Sequence, residues 1–155
     1  MATKTTTATK RKAKASRKPV RPARKGPATF RMRTATPSFT VDDVDKSLRW
    51  YRDVLGFVVG DRWEEGGKLL GVEMVAGEVS VYLTQDDWKK GRDRAKGEGF
   101  RIYCTTAQDV DGLATLVKAR GGTLEREPSD EMGTRNFAVA DPDGYKITIG
   151  AVGTK

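Results

Sequence analysis

An Asp-Val-Asp triplet occurs twice in this chain, at 43–45 and again 66 residues later at 109–111, each time between a strand-like and a helix-like stretch. Ahead of the first copy, Pro37, Phe39 and Val41 alternate with Thr36, Ser38 and Thr40. That is the period of a strand with one packed face and one small, polar face. Behind it, Val44, Leu48, Tyr51 and Leu55 fall at helical spacing and form an apolar stripe. Asp43 stands where an N-cap carboxylate takes up first-turn N–H groups, and Gly56 where a left-handed residue ends a helix. The second copy repeats the arrangement. Phe100, Ile102 and Cys104 alternate with Arg101, Tyr103 and Thr105; then Val110, Leu113, Leu116 and Val117 form a stripe that Gly121 and Gly122 close. Three strand-like segments follow each helix, at 57–63, 68–76 and 78–84, then at 123–128, 135–140 and 144–150, with 141–144 (Asp-Pro-Asp-Gly) as the last hairpin turn. The chain therefore reads as a duplicated β-α-β-β-β unit, an α+β fold in which each helix covers one sheet face and leaves the other free.

Charge divides the chain unevenly. Residues 1–33 carry 12 Lys/Arg and no Asp or Glu, whereas the other 17 basic residues face all 21 acidic ones. The formal charge of +8 therefore describes a basic arm on a mildly acidic domain. The arm is low-complexity Thr, Ala, Lys, Arg and Pro with little to bury, so disorder is expected. The boundaries read as a tail at 1–33 and a domain at 34–151, with module one at 34–85, a charged linker at 86–98 and module two at 99–151. The tail cations Lys10, Arg11, Lys12, Lys14, Arg17, Lys18, Arg21, Arg24 and Lys25 suit non-specific contact with nucleic-acid phosphates by counterion release. A solubilising extension and an organelle transit peptide are the competing readings, the second opposed by the absence of a regular apolar face. One cysteine, Cys104, excludes an internal disulfide, and no apolar run reaches membrane-span length. A cytoplasmic location is expected, nucleoid-associated if the tail meets DNA.

Two segments carry a family resemblance: W-Y-R-D-V-L-G-F at 50–57 and M-G-T-R-N-F-A-V-A-D-P-D-G-Y-K-I at 132–147. They resemble the first-helix signature and closing hairpin of the vicinal oxygen chelate superfamily, which includes glyoxalase I, bleomycin-resistance proteins and extradiol dioxygenases. The resemblance covers 35–151 and implies two modules whose mixed sheets curl into a cup with helices outside, commonly in a homodimer. It also implies a divalent metal held by His and Glu on the first and fourth strands of each module. Those positions fall on Thr36, Tyr82, Arg101 and Thr148, and the sequence has no histidine at all. A metal-free, cofactor-free member similar to the bleomycin-resistance branch is therefore expected, sequestering a drug-like or metabolite ligand.

Thr36, Ser38, Trp63, Tyr82, Arg101, Tyr103 and Thr148 are the expected ligand-binding residues. Alternation adds Thr40, Ser80, Thr84, Thr105 and Lys146 to the cup lining, with no carboxylate among them. Arg101 is expected to be the only cation in the middle of a cup strand and to grip a planar anionic or carbonyl-bearing ligand. Cys104 falls on the packed side of its strand. Two other functions compete: a superfamily enzyme, lyase or dioxygenase, with an atypical site, and a nucleoid-associated protein acting through its tail.

Overall fold

Strands and helices follow in the β-α-β-β-β order of the duplication, twice over. The computed structural model describes residues 32–131 and 133–153, and its folded unit begins at Thr34. The tail cations Lys10, Arg11, Lys12, Lys14, Arg17, Lys18, Arg21, Arg24 and Lys25 lie outside the described residues. Module one runs β1 (Ser38–Val41), α1 (Val44–Asp53), β2 (Val58–Glu65), β3 (Lys68–Ala76) and β4 (Val79–Gln85). Module two runs β5 (Arg101–Thr106), α2 (Val110–Ala119), β6 (Leu124–Glu131), β7 (Thr134–Ala140) and β8 (Lys146–Ala151).

Both helices start as their sequences dictate. The carboxylate of Asp43 accepts from the Lys46 N–H, and that of Asp109 from the Gly112 N–H, which satisfies one orphan first-turn donor in each. At the far end of α1, Gly56 takes a φ of 77° just past the last turn, a conformation open to glycine without steric cost.

Each module forms a four-stranded mixed sheet, ordered β1-β4-β3-β2 and β5-β8-β7-β6. The two are built to the same plan. The first strand of each runs parallel to the fourth, Ser38 opposite Tyr82 in one sheet and Tyr103 opposite Thr148 in the other. The helix-facing sides hold the buried residues, among them Phe39, Val41, Leu48, Tyr51, Val72, Met74, Val81, Leu83, Val110, Phe137, Val139 and Ile147, in one continuous core. Removal of this apolar surface from water is the main term holding the modules together, at about 25 cal/mol per Å² buried.

The modules also join through specific contacts. Phe39 on β1 stacks on Tyr145 with ring centroids 4.3 Å apart, and the Tyr145 hydroxyl donates to the Thr40 carbonyl at 3.1 Å. The Tyr51 hydroxyl, fully buried on α1, donates to Asp141 Oδ2 at 3.1 Å in the β7–β8 turn. Asp143 in the same turn accepts from the Asp42 N–H at 2.7 Å and from the Ser47 hydroxyl at 3.2 Å.

The segment between the modules is more than a spacer. It has no helix or strand, yet Asp86 and Lys96 are buried within it. The Lys96 ammonium lies 2.9 Å from Asp86 Oδ2 and 3.9 Å from Asp143 Oδ1, and pairs with Asp42 as well. Arg94 is a second partner for Asp86. Trp88 receives Arg92 and Lys96 over its ring, at 4.3 and 4.9 Å from the centroid. Gly97 takes a φ of 69° so close to the next module that a Cβ there would lie 2.3 Å from the Gly144 carbonyl oxygen. Composition alone reads this stretch as solvated charge; pairing with Asp42 and Asp143 on either side is what draws it in.

Candidate polar-face site

The free face of each sheet follows from the same alternation that builds the core. In module one Phe39, Val81 and Leu83 turn to the helix, so Ser38, Thr40, Ser80, Tyr82 and Thr84 share the opposite face. Ser38 and Thr84 meet there hydroxyl to hydroxyl at 3.2 Å. Trp63 on β2 stands across the strand from Gly71 and presents its ring edge-on to Tyr82, with centroids 5.3 Å apart. Gly71 leaves the room for that ring, since a Cβ would come within 3.1 Å of it.

A cleft of about 590 Å³ runs along this face to the edge of β5. Thr36, Ser80, Tyr82 and Tyr103 line it, and so do Glu73 and Glu78. Three of the residues expected from sequence, Thr36, Tyr82 and Tyr103, are thus brought together. Trp63 and Ser38 lie on the same sheet face outside the cleft. Arg101 and Thr148 lie on the polar face of module two and engage each other: the Arg101 guanidinium donates to the Thr148 hydroxyl at 3.0 Å, with Glu125 3.8 Å away.

The expected inventory of this surface needs correcting at two points. It contains carboxylates, Glu73 opposite Tyr82 on β3 and Glu125 on β6. Arg101, moreover, opens β5 rather than standing in the middle of a strand, and a further cation, Arg126, lies within β6. Lys146 pairs with Glu125, and Arg126 on β6 donates to the Ser129 hydroxyl at 2.9 Å and to buried Asn136. For Glu125 and Arg126 the reason is strand irregularity. Register shifts break the pairing of β2 with β3 between Val59 and Arg62, and that of β6 with β7 between Leu124 and Ser129. A bulge moves every later side chain to the other face, which simple alternation cannot register. The signal that could have found Glu73 was the uninterrupted alternation of Val72, Met74 and Ala76, which sets Glu73 on the free side.

The family's metal does not fit these residues. The four positions that would hold it carry two threonine hydroxyls, a phenol and a guanidinium, with no imidazole or carboxylate among them. Divalent transition metals bind such a set poorly, and Arg101 brings a positive charge of its own, directed at Thr148. Among the described residues no group of three or more His, Cys, Asp or Glu side chains is placed to hold a metal ion. Nor, among them, is any helix long and apolar enough to cross a membrane.

Comparison with known proteins places this architecture. A lactoylglutathione lyase of Arabidopsis thaliana, GLX1, is 32% identical over 118 residues, covering 72% of this chain and 41% of its own length. A probable lactoylglutathione lyase of Synechocystis is 31% identical over 116 residues, covering 70% of this chain and 87% of its own. The chain spans only 33% to 41% of the length of the plant relatives it matches. A glyoxalase/bleomycin resistance protein/dioxygenase from Nocardioides superposes with a TM-score of 0.63 at 16% identity, covering 81% of this chain and 87% of its own. Residues 33–149 match the model of the Glyoxalase/Bleomycin resistance protein/Dioxygenase superfamily, and the chain belongs to that superfamily.

Proposed function

We propose that this protein binds a small organic molecule on its polar sheet face without a divalent metal, as a sequestering protein rather than a lyase. The observation that carries this reading is the occupancy of the four metal positions by Thr36, Tyr82, Arg101 and Thr148, with Arg101 bonded to Thr148. The cleft combines two phenols with Glu73 and Glu78, while Arg101 lies outside it. Aromatic faces and carboxylates together favour a planar, amine-bearing ligand, held by stacking, cation–π attraction and charge-assisted hydrogen bonds. The anionic ligand expected from Arg101 alone is a poorer match to that lining.

The polar faces expose Trp63 and Tyr103, at 46% and 49% of their surfaces. Large aromatic groups left open on both sheets support a homodimer in which one copy covers the faces of the other.

Metal analysis of untagged protein, a lactoylglutathione lyase assay and a thermal-shift screen of planar amines and planar carboxylates test the reading together. The expected result is far less than one metal per chain, no turnover, and stabilisation by amines. One tightly held metal equivalent, or lyase turnover, overturns it. Turnover without metal would instead favour the enzymatic reading, with Glu73 as the carboxylate paired across strands with Tyr82.

The charge of residues 1–33 favours a second role, contact with nucleic acid. Six to eight phosphate contacts would give a log–log salt slope of about −5 to −7. Binding should vanish on deletion of 1–33; a truncated domain that binds DNA equally well excludes it.

A further inference from the structure

The duplication is exact enough in register to show where its two halves differ in bulk. Phe39 pairs with Leu83 in the first sheet, and its counterpart Cys104 pairs with Ile149 in the second. Tyr145, just before β8, corresponds to Val79 at the start of β4, and Tyr51, eight residues beyond its N-cap, corresponds to Val117. In one half, then, Phe39, Tyr145 and Tyr51 fill the space between a helix and the neighbouring module, with the first two stacked and the third hydrogen-bonded to Asp141. In the other half the same three places hold Cys104, Val79 and Val117. Smaller side chains on an equivalent frame leave a space.

That space is present. A recess of about 580 Å³ lies between the last turn of α1, α2 and the β3–β4 turn, and all three small residues line it. Buried Phe137 and Ile147 belong to its lining as well, together with Leu113 and Leu116 of α2. Burial pushes the Cys104 thiol above its usual value, in keeping with apolar surroundings. Arg120, exposed at the end of α2, also lines it, and its guanidinium lies over Gly56, where a Cβ would come within 2.8 Å of Nη1. Among the described residues, the recess and the polar-face cleft share Glu78, Val79 and Cys104. Its volume falls within the roughly 300–1,000 Å³ range of small-molecule sites. An apolar guest gains by covering the apolar part of this lining, because that surface leaves water.

We propose that the recess between α1 and α2 is a second ligand site, separate from the polar face, for an apolar ring-bearing molecule with one anionic group. The rings occupy the space that Phe39, Tyr145 and Tyr51 fill in the other half. The anionic group meets Arg120 at the mouth, where a guanidinium grips a carboxylate or sulfonate through paired N–H donors. This site stands whether or not the polar-face reading holds, since it uses none of Thr36, Tyr82, Arg101 or Thr148.

The test uses 8-anilinonaphthalene-1-sulfonate, two ring systems with one sulfonate, titrated by fluorescence into the full chain. One saturable site per chain is expected. Arg120→Glu, a surface change, should weaken it at least tenfold, and Val117→Phe, which fills the recess, should weaken it as much. Tyr82→Ala, in the cleft, should leave it within twofold. If Val117→Phe does not fold, Leu116→Asp on the half-exposed rim takes its place with the same expectation. Parent-like binding by Arg120→Glu together with a folded recess variant overturns the proposal. So does loss of the probe in Tyr82→Ala, or binding that does not saturate.

Discussion

Replacing Tyr51 by Phe removes one oxygen from the interior and nothing else. The Tyr51 hydroxyl donates to Asp141 Oδ2 at 3.1 Å, while the Asp143 and Tyr145 N–H groups donate to Oδ1 at 3.0 and 2.8 Å. Burial pushes the Asp141 carboxyl up from 3.8 to about 6, and the three hydrogen bonds hold it down from a still higher value. A carboxyl whose folded pKa exceeds its unfolded pKa binds more protons when folded. Its contribution to stability is therefore largest below pH 4 and declines as pH rises through about 6. The whole shift amounts to about 3 kcal/mol, of which about 1.4 kcal/mol falls between pH 5 and 8.

The sequence contains no histidine, and Asp86, hydrogen-bonded first of all to Lys96, titrates at about 2. The raised Asp141 carboxyl should therefore give domain stability a downward slope between pH 5 and 8. Tyr51→Phe removes a donor to the charged form. Its cost should be about 2 kcal/mol at pH 8, where the lost bond is charge-assisted, and about 1 kcal/mol at pH 5, where most of the carboxyl is protonated. Urea unfolding of parent and variant at the two pH values measures both. An equal cost at pH 5 and 8 would refute the coupling, and a parent stability that does not fall over this range would refute the raised carboxyl itself.

Three further outcomes are expected. Lys96→Met strips buried Asp86 of its ammonium partner and should cost about 3 kcal/mol in denaturant unfolding, where a loss under 1 kcal/mol would show Arg94 to suffice. Gly97 and Gly99 share a φ of 69°, but only Gly97 abuts the Gly144 carbonyl; Gly97→Ala should therefore cost clearly more than Gly99→Ala, which pays about 1 kcal/mol for conformation alone, and equal costs would argue against the contact. Glu73→Gln should weaken a planar amine from the thermal-shift screen about tenfold, some 1.4 kcal/mol, while Arg101→Ala leaves it within twofold; the reverse ranking in calorimetry would restore the anionic ligand.

The architecture was legible because each element declares itself locally. Asp43 and Asp109 cap helices by bonds to residues three further on, and Phe39, Val81, Cys104 and Ile147 alternate without interruption. Thr36, Tyr82 and Tyr103 were placed together on the same logic. Arg101 and Thr148 reached the expected sheet face but are tied to one another, which pairing across strands decides and sequence spacing does not show. Glu125 and Arg126 escaped detection because β6 slips its phase against β7. Lys96 escaped because the acids that draw it inward, Asp42 and Asp143, lie 54 and 47 positions away along the chain.

The outermost strands carry a consequence for how copies of this chain can meet. β2 and β6 end their sheets, and an unpaired strand edge ordinarily invites another chain to add to it. Here β2 carries Asp61, Arg62, Glu64 and Glu65 along an irregular register, and β6 carries Glu125, Glu127, Asp130 and Glu131 around Pro128. Mutual repulsion, a missing N–H donor and local twist all oppose continuation of the ladder there. Beyond these two strands, open-ended sheet extension of the kind that builds fibres is disfavoured.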